Sequence, residues 1–384
     1  MKHVNVKPEL MMWAINRAGG MKKIQEKVPN VEKWITLEKF PTLKQLEKLA
    51  KTTSTPLGYF FLKEPPKEEV NVPYYRTFDT LEEEQMSVEL LDTLKIMEMR
   101  QEWMKDYRID NGREPLPFVG SVKMRDGITK VAKTIREMLG LEEEWASSYS
   151  TWTEALRQLM YILEDHGVLV MANGVVGNNT HRPLNVNEFR GFVLIDSYAP
   201  LVFLNSKDGK AAQLFTLAHE IAHLWFGKNG IFNLKELQPS ENELEQKCNQ
   251  VAAEFLVPAH LMKGAWEENK NEEDRYQRIA RRFKVSELVI VKRALDLQFI
   301  TYADYKAYYQ KRQVDDIKKD RATSGGDYYN NQNVRIGRPF GEAIITSTLQ
   351  GRTLYRDAYR LTGLTSKTFQ EYVNRQDRGR RSLI

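Results

Sequence analysis

The chain has 384 residues, 41% apolar and 10% aromatic, enough for a packed core, which excludes a disordered tail protein; the length suits two or three domains. A single cysteine, Cys248, excludes an internal disulfide framework, no apolar run reaches the roughly 18 residues of a membrane span, and MKHVNVKPEL lacks the apolar core of a signal peptide, so a soluble cytoplasmic protein is expected. The net charge of +5 is small but uneven: residues 263–384 hold 25 Lys+Arg against 16 Asp+Glu, a net of +9, and residues 1–262 hold 32 against 36, a net of −4. The basic C-terminal third fits a nucleic acid, an acidic partner or an ordinary solvated helical surface.

Residues 8–62 read as short helices. Pro8 opens one, Leu10, Trp13, Ala14 and Arg17 follow at helical spacing, and Gly19-Gly20 ends it. Further on, Thr42 sits at an N-cap position before Leu43, Leu46 and Leu49. Several compact helices in this space suit a helix-turn-helix type domain over 1–62. Residues 63–80 begin with KEPPKEEVNVP and read as a linker.

Residues 81–107, 125–140 and 151–166 are expected to be helical. The character then changes to short β-rich runs: GVLVMA (167–172), RGFVLID (190–196) and LVFLN (201–205), the last two joined by a hairpin connection at 197–200. A loop leads into a helix over roughly 210–226, ended by Gly227, Asn229 and Gly230. A second helix is signalled by a capping box, Ser240 to Glu243, and stops at Pro258. The remainder is mainly helical and basic, with a loop expected over 322–334 and a mobile tail over 374–384.

Within the first of these two helices stands TLAHEIAHLWF, residues 216–226. Residues four apart share a helix face, so His219 and His223 can reach one ion. Glu220 lies beside His219 and can reach a water at that ion without being a ligand, which is the place of a general base. A catalytic zinc site needs a third protein ligand and an open fourth position. Glu245, 22 residues after His223 on the capped helix, is the candidate, with Glu241 and Glu254 in reserve. Glu254 lies nine residues beyond Glu245, about half a turn round the helix, so the two cannot share an ion. Asn249, on the face of Glu245, can orient a ligand histidine through its second ring nitrogen.

HExxH alone also arises by chance in core helices. Here Leu217, Ala218, Ile221, Ala222, Leu224 and Trp225 surround it, all uncharged, so the helix is expected to be buried nearly all round. Two histidines and a glutamate there are costly without a shared partner, which favours a metal over a satisfied core pair. Cys248 is near the candidate ligand or is a small packing residue. His260 is an oxyanion helper or a helix-end surface residue. His166 and His181 have no such context.

The runs NSKDGKAAQLFTLAHEIAHLWFG and ENELEQKCNQVAAEFLVP resemble the ImmA/IrrE family of metallopeptidases. Glu245, Asn249, Ala252, Ala253, Leu256 and Pro258 fall on the family's pattern, while Cys248 stands where alanine is usual and Val251 where phenylalanine is usual. The resemblance implies a zincin-like metallopeptidase core, an HExxH helix beside a Glu-bearing helix, in a mainly α chain with a small β-sheet (α+β) flanked by helical N- and C-terminal regions. The peptidase domain with its helical lead-in is placed at 81–262, and a basic, mainly helical region at 263–384. The N-terminal part resembles members in which an XRE-type helix-turn-helix precedes the peptidase, through PTLKQLEKLAKTTSTPLGYFFLKEPP and YYRT (74–77).

The implied activity is a Zn²⁺ endopeptidase that cuts a regulatory protein, such as a DNA-binding repressor of a mobile element or stress response. His219, His223 and Glu245 would hold the ion and Glu220 would act as the base. The alternative is a DNA-binding regulator or antitoxin-like protein with a sensory or structural zinc. The would-be recognition stretch PNVEKW pairs Lys33 with Glu32, fewer cations than a phosphate-bound helix brings, so DNA binding and protein contact both stay open. RRFKVSELVIVKRALDL is a second, more basic helix-turn-helix-like segment whose apolar positions say that it packs.

Overall fold

The computed structural model describes residues 3–66, 86–232, 242–316 and 328–381. Among them, residues 3–66 and 86–95 group as one unit and the others as a second.

In the first unit α1 (Pro8–Arg17) starts at its proline and stops where Gly19 and Gly20 take φ of 96° and 92°. Two single-turn helices follow, α2 (Met21–Gln25) and α3 (Val31–Ile35). α4 (Leu43–Thr52) opens on the expected cap: Gln45 N donates to Thr42 Oγ1 at 3.4 Å and Thr42 N to Gln45 Oε1 at 2.8 Å. A 3-10 turn, Leu57–Phe61, closes the set. Met11, Ile15, Val31, Trp34, Leu46, Leu49 and Phe60 form its core. The division between units falls inside α5 (Val88–Asp110), whose Asp92 pairs with Arg17 at 2.6 Å.

The second unit continues with α6 (Ile128–Met138) and α7 (Trp152–Asp165), the latter started by a Thr151–Glu154 capping box. Then come β1 (Leu169–Asn173), β2 (Val175–Val176), β3 (Asn179–Pro183), β4 (Gly191–Leu194) and β5 (Leu201–Asn205). α8 (Lys210–Phe226) leads to β6 (Gly230–Phe232), followed by α9 (Glu243–Leu256) and α10 (Ala259–Glu268). The main sheet has the order β1-β5-β4-β6, and β2 and β3 form a separate hairpin. β1 runs parallel to β5, while β4 is antiparallel to both β5 and β6. The expected hairpin at 197–200 is present, with Leu194 opposite Leu201.

Side chains alternate across the sheet. Val170, Ala172, Val193, Val202 and Leu204 join the large core shared with α7, α8 and α9. Phe192 and Phe203 stack outside that core with ring centroids 4.9 Å apart.

The last stretch comprises α11 (Arg275–Phe283), α12 (Glu287–Asp296), α13 (Tyr302–Asp316), α14 (Tyr328–Ile336), α15 (Arg338–Leu349), α16 (Tyr355–Thr362) and α17 (Ser366–Arg381). One expectation fails here: residues 328–334 are not loop but part of α14, while 322–327 lie outside the described residues. The tail is helical as far as Arg381. The helix-turn-helix-like segment is α11 and α12, joined through Lys284 at φ 54°. Val289, Ile290, Val291, Arg293 and Ala294 of α12 are buried, and Tyr308 of α13 donates to Glu287 at 2.6 Å. The segment packs, and part of α12 is already covered.

Buried Arg100 of α5 ties the C-terminal helices down. Its Nε donates to Leu361 O at 2.8 Å and its guanidinium to Arg335 O at 2.8 Å and Thr362 O at 3.3 Å, ending α14 and α16. Burial pushes its pKa down to about 10. No described helix is long and apolar enough to cross a membrane.

Candidate metal centre

α8 is buried from Gln213 to Phe226 and lies against α7, α9 and the sheet. It ends because Gly227 adopts φ 66°, with Gly227 N bonded to Leu224 O and Lys228 N to His223 O. α9 begins at Asn242, whose Oδ1 accepts from Leu244 N at 2.8 Å and Glu245 N at 3.4 Å. The observed cap is therefore Asn242; Ser240 and Glu241 lie outside the described residues.

The α8–α9 pair brings His219, His223 and Glu245 together, all buried. His219 Nε2 and His223 Nε2 are 3.0 Å apart; Glu245 Oε2 is 3.1 Å from the first and Oε1 3.2 Å from the second. The other ring nitrogens fix the tautomers. His219 Nδ1 faces Asn249 Oδ1 at 2.9 Å and His223 Nδ1 faces Lys228 O at 3.1 Å. Both partners accept, so each Nδ1 carries the hydrogen and each Nε2 presents a lone pair.

Two lone pairs and a carboxylate thus converge with no donor among them. Burial lowers the His219 pKa against the pull of Glu245, which keeps that ring neutral. A cation between the three groups would satisfy all of them. A tetrahedral ion with bonds of about 2.0–2.1 Å would separate its ligand atoms by roughly 3.3 Å, close to the spacings here. Two imidazoles and a carboxylate are also a donor set that zinc accepts.

Glu220 has no exposed surface, and neither of its carboxylate oxygens has a hydrogen-bond partner. Burial first, and the charge of Glu245 second, raise its pKa well above the ordinary value. Two glycines make room around these groups. A Cβ on Gly191 would lie 2.6 Å from Thr216 Cγ2 and 3.4 Å from Glu220 Oε1; one on Gly230 would lie 3.0 Å from His223 Cε1. Gly230, read from sequence as a helix terminator, is the first residue of β6.

The other candidates lie elsewhere. Glu254 is buried but ion-paired with Arg293. Cys248 is a buried core residue whose thiol pKa burial raises. Exposed His260 pairs with Glu143 at 2.9 Å. His166 Nδ1 contacts Ile162 O, and His181 is exposed. Sequence reading missed the Lys228 carbonyl and both glycines; the glycines at a strand start and just past the helix were the available signal.

Helix pair, donor set and orphaned carboxylate together have the makings of a metallopeptidase centre. Residues 163–295 match the family model described as the IrrE N-terminal-like domain, of the M78 peptidases. A second model, a domain of unknown function (DUF8813), matches residues 336–375. No curated protein and no solved structure matches the chain. The first match takes in β1 through α12 and so includes every residue of the centre.

Proposed function

We propose that the chain is a cytoplasmic zinc endopeptidase of the gluzincin type that cuts a regulatory protein, such as a DNA-binding repressor in mobile-element or stress control. One observation carries this reading: three buried acceptors converge with no donor among them, beside a buried carboxylate with no partner. His219, His223 and Glu245 would hold the ion. Zinc bound there lowers the pKa of a water and polarises a carbonyl. Asn249 and the Lys228 carbonyl keep the two imidazoles turned with Nε2 inward. Glu220 takes the proton of the attacking water on a carboxylate oxygen and passes it to the leaving amine.

Elemental analysis tests the site. The parent is expected to hold about one zinc per chain, since three ligands with an open fourth position make one catalytic site, and Glu245→Ala much less. Glu220→Gln is expected to keep the zinc and to lose about 10²-fold or more in cleavage rate. A Glu220→Gln protein that cleaves as well as the parent would falsify the role given to that carboxylate.

A second reading, a DNA-binding regulator with a sensory zinc, is favoured by one feature: residues 3–66 have a hydrophobic core of their own. Its signature is salt-sensitive, sequence-specific DNA binding that survives Glu220→Gln. A structural zinc is disfavoured because the cluster among the described residues has three ligands rather than four.

A further inference from the structure

The sheet edge beside the metal helix is filled by the chain itself. An extended peptide joins a sheet by main-chain pairing at an edge strand. The strands before α8 are interior: β5 lies between β1 and β4, and β4 lies between β5 and β6. β6 pairs with β4 through Gly191↔Phe232, Phe192↔Ile231 and Val193↔Gly230. Gly191 is also the β4 residue that approaches the Glu220 carboxylate. The lane along β4 at the level of Glu220 is therefore held by β6.

The same segment touches the centre. Gly230 stands against the His223 ring. Asn229 Oδ1 accepts from Ile195 N at 2.5 Å, extending the attachment beyond the end of β4. His219, Glu220 and His223 are 0% exposed. Buried as they are, these groups present no surface to a peptide in this conformation.

We propose that β6 is an intramolecular strap lying in the pairing lane of the substrate, and that the peptidase stays shut until this strap leaves β4. The proposal rests on the peptidase reading above. A three-residue edge strand belongs to the part of a fold that opens locally, well below the cost of global unfolding. Ile231 stands opposite Phe192 and, by alternation from Gly230, faces away from α8. A substitution at Ile231 therefore loosens the strap without touching the ligands, while Lys228, which steadies His223, precedes the strand.

The experiment uses the zinc-loaded full chain, parent and Ile231→Asp. Two rates are read: zinc release to EDTA, and cleavage of β-casein as an unfolded generic protein. Both are expected to rise about tenfold or more, because apparent access scales with the fraction of open molecules. Adding Glu220→Gln to Ile231→Asp is expected to keep the fast zinc release and abolish cleavage. In the parent, hydrogen exchange of the β6 amides is expected to run ahead of those of β5. Equal zinc release and equal cleavage in parent and Ile231→Asp overturn the strap and leave the peptidase reading standing. If Ile231→Asp does not fold, the parent decides: β6 amides that exchange only with global unfolding overturn the strap, and earlier exchange supports it. Absence of both zinc and cleavage in every protein overturns the peptidase reading and the strap with it.

Discussion

Glu245, near the start of α9, and Glu254, near its end, are buried to much the same degree, at 6% and 4% exposed. Their surroundings differ in one respect. Glu254 meets the guanidinium of Arg293, which also donates to Val257 O at 3.1 Å, while Arg136 donates to Glu254 O at 3.0 Å. Glu245 meets two imidazole nitrogens that have no hydrogen to give. A buried charge neutralised by its own chain is architecture; one whose neutralising partner must come from outside marks a site. Burial and residue type alone would not separate the two ends of this helix.

The largest effect that sharpens this contrast lies at the Glu254 end. Arg293→Ala leaves a buried carboxylate unpaired and is expected to destabilise the fold by about 3–5 kcal/mol in urea denaturation. Next comes Glu164, a third buried carboxylate, whose pKa burial raises to about 7 although Arg338 N donates to it at 3.0 Å. Because the folded value is raised, the stability it contributes is full below the unfolded value, near 4.5, and is lost as pH rises through about 7. Glu164→Gln should therefore flatten thermal unfolding between about pH 5 and pH 8, removing roughly 3 kcal/mol of pH dependence. A variant with the same pH slope as the parent would show that Arg338 already neutralises the group, as it does for Asp165. The smallest effect lies back at the Glu245 end. Asn249→Ala frees the His219 ring and is expected to weaken zinc binding about 10–100-fold in a chelator competition, with little change in fold stability. Unchanged affinity would mean that α8 packing alone orients the ring.

The centre was legible in the sequence because its geometry is local. His219, Glu220 and His223 lie within one helical turn and a little more, and Asn249 follows Glu245 by one turn. Only the meeting of two helices had to be supplied, and their apolar faces and end signals supplied it. What escaped is non-local or short. β6 has three residues and so no period to read, and its partner Gly191 stands 41 residues before Phe232. α14 is spelled YYNNQNVRI, rich in weak helix formers; it lies against β1, with Gln332 and Ile336 buried. The part of Arg100 in ending two helices more than two hundred residues away has no trace in its neighbours along the chain.

At the end of α8, Gly120 N donates to Leu224 O at 2.9 Å and Val122 N to Trp225 O at 3.1 Å, and Phe118 stacks on Trp225 at 4.6 Å between ring centroids. The crossing is so close that a Cβ on Gly227 would come within 2.9 Å of Gly120 Cα. The IrrE N-terminal-like match starts at residue 163, so it omits the two donors at the end of α8. A fragment trimmed to 163–295 would leave Leu224 O and Trp225 O without these donors and uncover one face of Trp225, so it is expected to hold α8 less firmly than one that reaches back to Phe118.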